Sequence, residues 1–193
     1  MGKTFFGIQV VIRLFSSDTF RSRLHEIIAQ SSKKQSITEK RIFWKRLTAV
    51  LDEEVPAFEY GYWDLIRGDR AEAEFEEWSS ELEGAVATEK EELGDAPDEI
   101  NRISAEKRYV IVTLVFLMDQ GSNADLTLGH RCEMPESEYF TRTTFGRLIG
   151  TIPMLNFANV EADAVYLVPG NDQDGLSEED LHGGSYHYLK LLI

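Results

Sequence analysis

The sequence predicts an α+β domain, in which a small mixed β-sheet is centred on residues 109–118 and covered by helices from the N-terminal half. Three observations support this prediction. Residues 109–118 form a long apolar run, residues 6–14 alternate between apolar and other side chains, and three amphipathic stretches lie between the two. We expect one domain over residues 1–193, with a mainly helical half (1–96) after an N-terminal strand and a β-α-β half (100–193).

The run from Tyr109 to Met118 contains nine apolar residues in ten and shows no alternation. A strand of this kind has both faces covered and lies inside a sheet. At about 3.3 Å per residue it would extend about 33 Å. A membrane helix needs about 20 apolar residues, so a buried strand is the better interpretation.

The N-terminal run from Phe6 to Leu14 places apolar side chains on alternate positions, which is typical of a half-buried strand. Ile8, Val11, Ile12 and Phe15 also fit a helical stripe, so a helix is the alternative.

Three helices are predicted next. The first follows residues 16–18 and buries Phe20 and Leu24 while leaving Arg21 in water. The second begins at Ser36, because Glu39 three residues later completes a capping box. The third begins near Asp69, and residues 94–98 after it resemble a hinge. Its predicted inner stripe is Phe75, Trp78, Leu82 and Val86.

The order of elements in the second half of the sequence predicts a β-α-β crossover unit. A polar stretch over 121–135 contains a short candidate edge strand at Leu126–Leu128. A helix from about residue 143 to Pro153 then leads to a strand over 162–168. If that strand runs parallel to the central one, the connection should be right-handed.

Charge is unevenly distributed along the chain. The net charge is −14, yet residues 1–50 carry +7 and residues 69–99 carry −11. The favoured interpretation is that basic and acidic helices lie side by side and partly neutralise each other. The alternative is a basic surface that binds anionic lipid or nucleic acid. A protein this acidic is repelled by phosphate backbones, so no nucleic-acid partner is expected.

Four aromatic residues within residues 58–63 form either a docking surface or a segment packed into the core. We therefore hypothesise a non-enzymatic protein-interaction or scaffold domain with an unidentified protein partner. Its candidate residues are Phe58, Tyr60, Tyr62 and Trp63. The alternative is a peripheral membrane module that uses the basic residues of segment 20–50. These are Arg21, Arg23, Lys33, Lys34, Lys40, Arg41, Lys45 and Arg46.

Catalytic and metal-binding motifs give little support to an enzyme. His130 and Cys132 are the closest His/Cys grouping, and an enzyme built on them would need a thiol of low pKa. Acidic residues between 172 and 180 resemble a cation loop in composition but lack EF-hand spacing. No cofactor or metal is predicted. The single cysteine and the absence of a secretory signal favour the cytoplasm.

Several segments together resemble a known family. The strand from Tyr109 to Val115, the strand end at Tyr166–Pro169 and the segment Asp174–Leu181 are similar to the "YIVVTLLVA", "VLWTP" and "DxLSxDEL" motifs of domain-of-unknown-function family 1517, found in cyanobacteria and chloroplasts. Gly7–Val10 is similar to its "LQV" opening, and Tyr60–Gly61 to its "YG". The resemblance implies a non-catalytic accessory domain. This chain differs at the family's terminal "DYPxL", and we find no N-terminal membrane segment of the kind that many relatives carry.

Overall fold

The computed structural model describes residues 2–15, 19–30, 35–93, 106–170, 174–183 and 186–193. Within the range 35–93, side chains are described up to residue 83. These residues form a five-stranded sheet in the order β4-β3-β1-β2-β5. The strands are β1 (Lys3–Arg13), β2 (Phe58–Arg67), β3 (Tyr109–Asp119), β4 (Val160–Val168) and β5 (Lys190–Leu191). The α+β class is therefore confirmed.

The prediction of a mixed sheet was wrong, because every pair of neighbouring strands is antiparallel. One helix was expected between β3 and β4, but two ten-residue helices lie there. They return the chain to the end of the sheet where β3 stops, so that Val160 lies opposite Met118. β3 lies inside the sheet as predicted, but the sheet is centred on β1, which is the third of its five strands.

Both of the long central strands are buried on both faces. Residues 109–118 of β3 are all buried, which confirms the prediction for that run. Residues 4–12 of β1 are buried as well, so the prediction that β1 is half-buried was wrong. The second buried face of β1 includes Gly7, which has no side chain, and Gln9, which is polar. Neither residue looks like a core position in the sequence.

Helices cover the sheet from both sides. One face packs against α1 (Phe20–Ala29), α2 (Ile37–Glu53), α4 (Asn123–Cys132) and α5 (Arg142–Thr151). The opposite face packs against α3 (Ala71–Leu93), α6 (Glu178–Gly183) and the C-terminal segment. Helices of the second half thus share the covering with those of the N-terminal half.

The sheet separates the basic helices from the acidic one. The apolar sides of α1 and α2 pack on one face, and that of α3 packs on the other. The expectation that they lie side by side and neutralise each other was therefore wrong. Because β1 and β3 are buried on both faces, a helical layer covers each side of the sheet, and the chain supplies the basic helices to one side and the acidic helix to the other.

Local capping determines where several helices begin. The capping box at Ser36 and Glu39 is present in the structure as predicted, with the Glu39 amide donating to Ser36 Oγ. Ser122 Oγ accepts from the Asp125 amide at 3.3 Å and starts α4. The predicted edge strand at Leu126–Leu128 was therefore wrong, because these residues lie within that capped helix and bury Leu128. The predicted hinge at 94–98 lies outside the described residues.

Candidate protein-interaction site

A cleft of about 690 Å³ opens where α3 crosses the sheet beside β2 and the C-terminal segment. Aromatic side chains form its walls, carboxylates form one rim, and an amide lies at its floor. We call it the acidic cleft and define it by Gln9, Tyr62, Glu74, Glu77, Trp78, Glu81 and Tyr188.

The walls of the acidic cleft come from three elements. The ring centroid of Tyr62 on β2 lies 6.2 Å from that of Trp78 on α3 and 5.5 Å from that of Tyr188 in the C-terminal segment. Trp78 reaches the sheet because Gly7 has no side chain, since a Cβ there would lie 2.8 Å from the indole. Phe5 supports the same indole at 5.3 Å between centroids.

Three glutamates on one face of α3 form the acidic rim of the cleft. Glu74, Glu77 and Glu81 are three and four residues apart, which places them on one face of α3. Glu74 accepts a hydrogen bond from Arg70. Glu77 and Glu81 are exposed at the mouth of the cleft. Carboxylates beside aromatic rings attract cations, because the face of an aromatic ring carries partial negative charge.

The floor of the acidic cleft is polar, and its hydrogen bonds are satisfied. Gln9 is 1% exposed, and its Nε2 donates to Thr113 Oγ1 at 2.9 Å. The hydroxyl of Tyr188 donates to Gln9 Oε1 at 2.7 Å. Burial raises the pKa of Tyr188 to about 12, so this phenol keeps its proton at neutral pH. The floor therefore holds the aromatic walls in place.

A second pocket of about 450 Å³ lies on the opposite face of β2. We call it the aromatic pocket and define it by Trp63, Leu65, Cys132, Tyr139 and Phe140. The Trp63 indole donates to the carbonyl of Tyr139 at 3.0 Å, and the two rings are 5.3 Å apart. Trp63 and Leu65 pack with the α4 side of the sheet and Trp78 packs on the α3 side, so the two cavities lie on the two sides of β2, with Tyr62 lining both.

The aromatic residues singled out in the sequence are divided by the alternation of β2. Phe58 is fully buried in the main core, so its assignment to a partner surface was wrong. Tyr60 is half-buried against His182 of α6, at 5.4 Å between rings. Tyr62 and Trp63 point to opposite faces and line the two cavities.

Sequence reasoning missed the other half of the acidic cleft. Trp78 was predicted only as part of the inner stripe of the third helix, and Glu77, Glu81 and Tyr188 were not among the candidate site residues. These residues meet Tyr62 through tertiary structure, because Tyr188 and Gln9 are 179 positions apart.

The basic residues proposed for an anionic surface have different environments. Arg21 is 4% exposed and donates to the carbonyls of Asp174 and Pro169, so its assignment to water and to a binding surface was wrong. Arg23 donates to Glu53 at 2.6 Å, and Lys40 donates to Asp163. Lys33 and Lys34 lie outside the described residues. On α2 three basic residues are exposed: Arg41, Lys45 and Arg46.

The His130–Cys132 pair does not form an activated thiol. The two residues are two positions apart on α4 and so point to different sides of the helix. Burial raises the pKa of Cys132 to about 12, whereas an activated thiol needs a lowered one. His130 lies 3.6 Å from the Glu133 carboxylate. The described residues contain no group of three or more His, Cys, Asp or Glu side chains placed to hold a metal ion.

Comparisons with known proteins give no relative: no family model, no curated protein and no solved structure matches the chain. The resemblance to family 1517 therefore stays a prediction. Among the described residues, no helix is both long enough and apolar enough to cross a bilayer.

Proposed function

We propose that this protein is a non-enzymatic interaction module that binds a basic segment of a protein partner in the acidic cleft. The observation that carries the proposal is the combination of the Tyr62, Trp78 and Tyr188 rings with the exposed carboxylates of Glu77 and Glu81. A Lys or Arg side chain matches this combination, because its stem packs on rings while its charge reaches carboxylates.

The expected interaction free energies favour a peptide over a single side chain as the ligand. A cation over an exposed aromatic ring gains about 0.5–1 kcal/mol. An exposed ion pair contributes about 0.2–1 kcal/mol. One Lys side chain therefore binds weakly, and a partner needs several basic residues or further main-chain contacts.

The test is a titration at low ionic strength with the peptide acetyl-Lys-Gly-Lys-Gly-Lys-amide, followed by NMR of the Trp78 indole and the Tyr62 amide. The variant E77Q/E81Q removes the two rim charges. The matched control E76Q/E83Q removes two charges from exposed positions of α3 that do not line the cleft. We expect E77Q/E81Q to weaken binding about 2- to 30-fold, and the control to weaken it less.

Equal weakening by both double variants would show that net charge alone attracts the peptide, and would contradict the proposal. So would equal affinity for the corresponding glutamate peptide.

A second candidate function follows from the separation of charge by the sheet. Because α3 lies on the far face, Arg41, Lys45 and Arg46 of α2 are not neutralised by it, and they favour an anionic membrane surface. Cosedimentation with phosphatidylserine vesicles over a range of salt concentrations tests this candidate. The variant R41E/K45E should lose binding, whereas R131E/K190E, which changes exposed basic residues on other elements, should keep it.

A further inference from the structure

Within the described residues, the outer edge of β2 is paired over only part of its length. β5 pairs with it at Tyr60 and Gly61, and Leu192 donates to the carbonyl of Glu59 at 2.8 Å. On the inner side, Gly68 donates to the carbonyl of Lys3 at 2.9 Å. Hydrogen-bonding positions alternate along an antiparallel strand, so residues 60, 62, 64 and 66 bond to β1. Residues 63, 65 and 67 therefore direct their main-chain groups outward, past the point where β5 stops.

These outward groups are almost all unpaired within the part of the chain that the structure describes. The amide of Leu65 donates to the Asp64 carboxylate at 2.8 Å. The amides of Trp63 and Arg67 and the carbonyls of Trp63 and Leu65 have no protein partner among the described residues. An unpaired edge is a template for another extended chain.

The two cavities lie on either side of this edge. The acidic cleft lies on the side of the sheet to which Tyr62 points, and the aromatic pocket lies on the side of Trp63 and Leu65, with Asp64 at the strand edge also in its lining. Successive side chains of a strand point to opposite faces of a sheet. A strand added along residues 63–67 would thus direct alternate side chains into the cleft and into the pocket.

We propose that the partner contributes an extended segment that adds to β2 as an antiparallel strand beyond β5, with basic and apolar residues in alternation. Basic residues lie opposite Tyr62 and Asp64 and enter the acidic cleft, and apolar residues lie opposite Trp63 and Leu65 and enter the aromatic pocket. The antiparallel direction continues that of β5 on the same edge. This inference rests on the proposed function, because the acidic cleft supplies half of the specificity.

Charge complementarity argues against a second copy of this chain as the added strand. The described chain has one other long outer strand, β4, which carries the exposed Glu161, while its Asp163 is buried against Lys40 and Trp44. β4 has no basic side chain to offer the cleft, and Glu161 would add negative charge beside Glu77 and Glu81. The surface instead matches a partner segment that carries positive charge.

The test uses the hexapeptide acetyl-Val-Lys-Val-Lys-Val-Lys-amide and two methylated versions of it. In an antiparallel pair the valines opposite Trp63 and Leu65 direct their amides toward β2, and the lysines direct theirs away. N-methylation of the valines should weaken binding more than about tenfold, because it removes hydrogen bonds and introduces clashes. N-methylation of the lysines, which adds the same number of methyl groups, should leave binding nearly unchanged.

Amide hydrogen exchange provides the second readout. The Trp63 and Arg67 amides should be protected when the unmethylated peptide binds, while the Tyr62 amide, already bonded to β1, should not change. Equal affinity of both methylated peptides, or unchanged exchange at Trp63, would overturn strand addition. If E77Q/E81Q still weakened the peptide in that case, the acidic cleft would stand without the strand. Concentration-dependent dimerisation that blocks the peptide would overturn the assignment to a basic partner.

Discussion

The hydroxyl of Tyr188 donates a 2.7 Å hydrogen bond to Oε1 of Gln9, joining the C-terminal segment to the middle strand of the sheet. The other end of the same amide donates to Thr113 of β3. One buried side chain thus connects three parts of the chain, and it forms the floor of the acidic cleft.

Replacing Tyr188 with Phe should lower the free energy of unfolding by about 1–2 kcal/mol, because Gln9 Oε1 would be left buried without a donor. Urea denaturation at neutral pH measures the change. Tyr139→Phe is the matched control, since the Tyr139 hydroxyl makes no hydrogen bond among the described residues and its removal should cost less than about 0.5 kcal/mol. A Tyr188→Phe variant as stable as the wild type would contradict the importance of this bond.

The stability of the wild type should also fall at alkaline pH in a way that Tyr188→Phe does not share. The pKa of Tyr188 is about 12 in the fold and about 10 in an unfolded chain. The unfolded chain therefore loses the proton first, and stability decreases as pH rises through this window, by about 1 kcal/mol per pH unit. Urea midpoints at pH 9 and pH 11 should show the advantage of the wild type over the variant shrinking. An advantage that grew with pH would contradict the sign.

Replacing Gly61 with Ala should destabilise the fold by about 1–3 kcal/mol, because the new Cβ would lie 2.4 Å from the ring of Phe145 in a packed core. Gly150 is the matched control. It lies on α5 with nothing within 4 Å of a Cβ, so Gly150→Ala should stabilise the protein by about 0.5–1 kcal/mol. Thermal unfolding of both variants measures the difference, and a stable Gly61→Ala would show that β2 and α5 are less closely packed than described.

Alkylation of Cys132 should be slow in the folded protein. With a pKa of about 12, its thiolate fraction at pH 8 is far below that of an ordinary thiol. We expect iodoacetamide to react more than about 100-fold more slowly than with glutathione, and at the glutathione rate once the protein is unfolded in urea. A folded-state rate equal to that of glutathione would contradict the burial and revive the hypothesis of a reactive thiol.

The sequence by itself determined the features that depend on near neighbours. The unbroken apolar run of β3 required cover on both faces, and residues 109–118 are buried on both. Ser36 and Glu39 are three residues apart, and they form the predicted capping box. These predictions hold because hydrophobic periodicity and capping operate over a few residues, where sequence distance and spatial distance are closely related.

Only the tertiary structure decided strand direction, the separation of charge and the composition of the acidic cleft. Gln9 and Arg21 are polar residues that the sequence places in water or on a half-exposed strand, yet both are buried because distant partners satisfy them. Whether a polar side chain can be buried depends on such partners, and no local pattern identifies them. Tyr62, Trp78 and Tyr188 likewise meet only because α3 and the C-terminal segment fold onto the same face of one sheet.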